Sequence, residues 1–67
     1  MKRDVNEIAD EYGLDLYRIA YMKLKVRADA EDIVQEVFYQ YIKHPLKFEN
    51  AEKEKRWLIK TTVNLCK

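Results

Sequence analysis

Sixty-seven residues, 48% hydrophobic and 37% charged, describe one small globular, soluble domain and exclude a disordered tail or a membrane-spanning protein. A formal net charge of +1 does not mark a simple electrostatic nucleic-acid binder, and one Cys, Cys66, excludes an intramolecular disulfide and a Cys-based zinc site. With no long apolar run to serve as a signal peptide or membrane span, the expected location is the cytoplasm, without membrane insertion.

Residues 4–24 read as a helix. Val5, Ile8, Ala9 and Tyr12 form an apolar stripe, and Leu16, Tyr17, Ala20, Tyr21 and Leu24 continue one, with a change of phase near Gly13. Gly13 costs about 1 kcal/mol relative to Ala inside a helix, so the helix either breaks there or runs through with a slight bend; one long helix is the expectation. Residues 25–28 carry no apolar period and should form a tight connection, making the first two helices an antiparallel hairpin.

The strongest helical signal is ADAEDIVQEVFYQYIK, residues 28–43. Ile33, Val34, Val37, Phe38, Tyr41 and Ile42 recur pairwise every four residues and should face a core. Asp29 is the expected N-terminal cap, with Glu31 and Asp32 near the positive end of the helix dipole. His44 and Pro45 should end the helix, because Pro disfavours helical geometry in the residue before it.

The segment LKFENAEKEK that follows has no regular apolar spacing; Phe48 should tuck under the core, and Asn50 should cap the last helix with Glu52 in its first turn. In RWLIKTTVNLC, Trp57, Leu58, Thr61, Thr62 and Leu65 share a broad face, while Ile59, Val63 and Cys66 lie on another. Such a helix is apolar on more sides than a three-helix core covers, so it either lies deep between the other two or meets something outside. The fold class is therefore all-α: a small three-helix bundle built from a helical hairpin, a loop and a final helix.

Catalysis finds little support. His44 stands beside Pro45 at a helix end, no Ser is present, Cys66 has no His nearby, and one Gly cannot make a phosphate-cradling loop. Asp29, Glu31, Asp32 and Glu36 could form a weak cation site but lack the loop geometry and spacing of a calcium hand, so neither metal nor cofactor is expected. Binding is better supported. Glu31, Asp32, Gln35 and Glu36 present an acidic face that can pair with Arg and Lys of a partner. Lys55, Arg56, Lys60 and Asn64 recur at helical spacing, and with Thr61 and Thr62 between them they suit a phosphate backbone and nearby bases.

Taken together, LYRIAY at residues 16–21, DAEDIVQEVF at residues 29–38, Phe48, and RWLIKTTVN at residues 56–64 resemble region two of bacterial RNA polymerase sigma factors of the extracytoplasmic-function group. The resemblance implies that the second helix binds the clamp coiled coil of the largest subunit of core RNA polymerase. Asp32, Gln35 and Glu36, with Glu31 and Tyr39, are then the polymerase contacts. It further implies that the loop and last helix read the promoter minus-ten element and hold its non-template strand, capturing an unstacked base beside Phe48, Glu49, Asn50 and Ala51. Lys55, Arg56, Lys60, Thr61 and Asn64 would line the DNA path along that helix, with Trp57 read as a core residue because its helical neighbours are apolar. Glu49, Glu52 and Glu54 depart from what phosphate binding needs unless Lys47, Lys53 and Lys55 offset them. The family's helix-turn-helix domain, which reads the minus-thirty-five element, lies outside residues 1–67, so this domain is expected to be one part of a longer factor. An anti-sigma factor is a further partner that the resemblance brings in. The rival readings are a helical protein-interaction module without promoter binding and, more remotely, a small metal-dependent enzyme subunit.

Overall fold

The computed structural model describes residues 4–43 and 48–67, which form three helices: α1 (Val5–Leu24), α2 (Arg27–Lys43) and α3 (Ala51–Leu65). The expected all-α hairpin followed by a final helix is the fold found. Neither the stop signals at His44 and Pro45 nor Lys47 falls within the described residues.

Helix α1 begins where Asp4 accepts the Asn6 N–H at 2.7 Å, and it runs unbroken through Gly13. Its buried stripe is Ile8, Tyr12, Leu16 and Ala20, one residue per turn, so the expected change of phase does not occur. Tyr21 is exposed and Leu24 half-buried. A strict four-residue spacing drifts slowly enough around the helix to stay on one face for four turns. Core packing on both sides of Gly13 outweighs its cost of about 1 kcal/mol relative to Ala, and a Cβ there would meet the Phe38 ring at 4.0 Å.

Lys25 ends α1 in the left-handed conformation, φ 62°, with its N–H donating to the Tyr21 carbonyl at 2.8 Å. Only Lys25 and Val26 separate the helices, and the Val26 carbonyl accepts the Ala30 N–H at 3.0 Å. Asp29 is therefore not the cap of α2. Because the reversal is completed at Lys25, the helix starts at Arg27 and Asp29 sits within its first turn, where its charge still complements the dipole. Fully buried Ala20 and Ala30 lie near this closed end, where small side chains let the helices approach closely.

Larger residues fill the open end. Ile8, Tyr12, Leu16, Val37, Tyr41 and Leu58 form the core, with Val5, Ile33, Val34, Phe38, Phe48, Trp57, Ile59 and Leu65 packed around it. Helix α3 lies across both members of the hairpin and contributes Leu58, whose complete burial is worth about 1.5–3 kcal/mol. The expected cap forms, with Asn50 Oδ1 accepting the Lys53 N–H at 2.9 Å.

Besides Tyr21, three burial expectations are overturned. Ile42 is 57% exposed, because α2 turns Tyr41 inward and its neighbour, about 100° further round the helix, outward. Thr62 is fully buried, and its hydroxyl donates to the Leu58 carbonyl at 2.8 Å within α3, so it cannot serve a ligand. Glu54, expected in an acidic loop, is 2% exposed and belongs to the start of α3.

Candidate binding faces

Glu31, Asp32, Gln35, Glu36 and Tyr39 are all exposed on α2. At roughly 100° per residue they span an arc of about 140°, one continuous outer face of a helix whose other side is locked into the core. Neighbours order this face without covering it. Arg27 Nε lies 3.9 Å from Glu31 Oε1, Gln40 Nε2 donates to Glu36 Oε2 at 3.1 Å, and Lys43 Nζ stands 5.0 Å from the centre of the Tyr39 ring. Pairs this exposed contribute about 0.5 kcal/mol or less to stability, so the face is not needed to hold the helix together.

Ile42 belongs to the same arc and was missed from sequence. It stands seven residues after Gln35 and three after Tyr39, a spacing that places it beside both. An exposed Ile and Tyr flanked by three carboxylates and an amide combine an apolar centre with a charged surround, a composition suited to a protein partner.

The second face lies on α3. Lys55, Arg56, Lys60 and Asn64 are exposed, and half-buried Ile59 and Val63 run between them. Glu52, Lys55, Arg56, Ile59 and Lys60 line a shallow depression of about 340 Å³. Thr61 is half-buried and about 100° round the helix from Lys60, so it stands at the margin of this face.

Each carboxylate at the start of α3 has a counterpart. Glu49 pairs with Lys53 at 3.0 Å, Glu52 with Arg56 at 3.7 Å, and Glu54 accepts from the Tyr41 hydroxyl at 2.8 Å. The repulsion expected of these three groups toward phosphate is reduced accordingly: one has left the surface and two are matched by adjacent cations.

Phe48 does tuck under the core. Its ring stacks on Tyr41 with centroids 6.1 Å apart and meets Trp57 at 5.8 Å, while Trp57 meets Tyr41 edge-on at 6.2 Å. Phe48 is half-buried in this cluster, whereas Glu49, Asn50 and Ala51 are exposed beside it. With its side-chain oxygen engaged by the cap, Asn50 offers its amide N–H groups to a ligand. Trp57 is half-buried against the core, as expected, yet it also lines a groove of about 510 Å³ with Glu36, Tyr39, Gln40 and Lys43. That groove joins the acidic face of α2 to α3.

Among the described residues, no group of three or more His, Cys, Asp or Glu side chains could hold a metal ion, and no helix is long and apolar enough to cross a membrane. The chain can bind through charge, hydrogen bonds and aromatic contact. Residues 8–67 match the family described as Sigma-70 region 2. No curated protein and no solved structure matches the chain.

Proposed function

The chain belongs to the Sigma-70 region 2 family, and on that premise we propose that it acts as the region-two domain of an extracytoplasmic-function sigma factor, docking on core polymerase through α2 and opening the minus-ten element. Region 2 of sigma-70 factors is a transcription initiation factor domain, not a known enzyme family, and takes part in RNA polymerase binding and promoter recognition. The finer assignments are these. Glu31, Asp32, Gln35, Glu36 and Tyr39 contact the clamp coiled coil of the largest subunit. Phe48, Asn50, Lys55, Arg56, Lys60, Thr61 and Asn64 contact the non-template strand, Phe48 mainly by shaping the pocket. Both partners place the domain in the bacterial cytoplasm.

The observation that carries this reading is the exposed face of α2, in which acidic, amide and aromatic side chains stand together on a rigid helix and contribute almost nothing to its stability. Opening needs no bond chemistry. Binding energy for unpaired bases shifts the duplex toward the melted state, and contacts to an extruded base of about 1–3 kcal/mol each are enough to bias that equilibrium. An anti-sigma factor that covers either face would switch the domain off.

The test is binding of the chain to purified core polymerase and, separately, to a single-stranded minus-ten oligonucleotide across a salt series. Polymerase binding together with salt-dependent DNA affinity is the expected result. Protein binding with no affinity for the oligonucleotide would favour an interaction module, and a well-folded chain that binds neither would end the proposal.

A further inference from the structure

We propose that Glu54 is a positioning residue, whose buried carboxylate, held by the Tyr41 hydroxyl, sets the geometry of the DNA-contacting loop and helix. This inference rests on the reading of α3 as the DNA-contacting helix. Glu54 is 2% exposed and Tyr41 1% exposed, and the hydrogen bond between them is 2.8 Å long.

Stability alone does not account for a carboxylate at this position. Burying a carboxylate is costly, and replacing both members of such a buried pair by apolar residues of similar volume is often neutral or stabilising. Apolar packing is also non-directional, whereas a hydrogen bond holds its partners in one orientation. The buried stripe of α3 is Glu54, Leu58 and Thr62. Leu58 has no polar side-chain atom, and the Thr62 hydroxyl is engaged by the Leu58 carbonyl within α3, so Glu54 is the member of the stripe that is tied to α2 by a hydrogen bond. Rotation of α3 about its axis would therefore stretch the Glu54–Tyr41 hydrogen bond, the directional contact beside the Trp57 ring packing on Tyr41. The same rotation would swing Lys55, Arg56 and Lys60 relative to the loop.

Tyr41 also anchors the other side of the loop. Its ring stacks on Phe48 while its hydroxyl reaches Glu54, so exposed Glu49 and Asn50 are held between two attachments to one residue of α2. The Glu54 N–H donates to the Asn50 carbonyl at 3.2 Å, and the Asn50 side chain caps Lys53. Anchor and cap form one continuous unit, and the carboxylate lies near the positive end of the α3 dipole.

The experiment compares the parent chain with Glu54→Met, Tyr41→Phe and Glu54→Gln. Thermal unfolding, oligonucleotide affinity, polymerase binding and hydrogen exchange at the Lys53 amide are measured for each. Glu54→Met and Tyr41→Phe each leave one partner buried and unsatisfied, so they should lose about 1–3 kcal/mol of stability while remaining folded at low temperature, lose about five- to tenfold in DNA affinity, the scale of one hydrogen bond, and lose protection at Lys53. Glu54→Gln should recover most of the affinity, because its amide oxygen still accepts from Tyr41. Polymerase binding should be unchanged in all three. A folded Glu54→Met or Tyr41→Phe with parental DNA affinity and parental Lys53 protection overturns the proposal. Should Glu54→Met fail to fold, Tyr41→Phe decides, since it removes only the hydroxyl; if both fail, Glu54 is a stability residue and the proposal is wrong. If the parent itself binds no oligonucleotide, the DNA reading fails independently, and Lys53 protection alone upholds or overturns the anchor.

Discussion

Changing Gln35→Ala and Glu36→Lys together separates binding from folding on α2. Both side chains are exposed, and the double substitution removes the hydrogen bond of 3.1 Å from Gln40 to Glu36. An exposed pair four residues apart on a helix is worth about 0.2–0.5 kcal/mol, and Ala at position 35 recovers part of that through helix propensity. The fold should therefore change by about 0.5 kcal/mol or less, a shift in Tm of roughly 2–4 °C for a domain of this size. Binding should respond far more. Loss of a charge-assisted hydrogen bond from Glu36 costs about 1.5–3 kcal/mol and a neutral one from Gln35 about 0.5–1.5, with like-charge repulsion added. A total of roughly 3–4 kcal/mol raises Kd about 10²- to 10³-fold. Titration against immobilised core polymerase, with circular dichroism of the same samples, reads both quantities. Loss of helical signal would show that the face supports the fold after all, and a Kd within about threefold of parent would remove Gln35 and Glu36 from the polymerase contact.

Backbone and core offer further tests. Gly13→Ala should stabilise by about 0.5–1 kcal/mol, seen as a higher Tm, because the added methyl meets Phe38 carbons at 4.0 Å, ordinary contact, and the helix gains propensity. Lys25→Gly should add roughly 0.5 kcal/mol in urea unfolding, since the left-handed φ of 62° suits Gly and part of that gain is offset by unfolded-chain entropy. Leu58→Ala should cost about 2–5 kcal/mol, comparable with the roughly 3–5 kcal/mol expected of the whole domain, so the variant should be largely unfolded by circular dichroism at 25 °C. Lys60→Glu should weaken oligonucleotide binding and lower the salt slope by about 0.7, the change for one fewer neutralised phosphate, with polymerase affinity unaltered; equal loss of both activities would refute the division into two faces.

Local signals were legible wherever the interaction responsible is local. The Asn50 cap joins residues three apart and the charged face of α2 lies on consecutive turns, whereas the single Ile8, Tyr12, Leu16 and Ala20 stripe was read as two stripes out of phase because flanking Ala9, Tyr17 and Tyr21 are apolar too. The start of α2 was misplaced because Asp29 resembles a cap in isolation, whereas the reversal had already been completed by an unusual backbone conformation at Lys25. Nothing in a Lys side chain announces a positive φ.

By itself, then, the sequence determined three helices, a hairpin between the first two and the separation of acidic from basic faces, since near-neighbour spacing dictates each of these. Tertiary structure alone decided which of Tyr41 and Ile42 turns inward, that Thr62 keeps its hydroxyl within α3, and that Glu54 leaves the surface. Each of these depends on how α3 crosses the hairpin. A carboxylate in a KEK run reads as solvated until Tyr41, thirteen residues earlier, is brought within hydrogen-bonding distance.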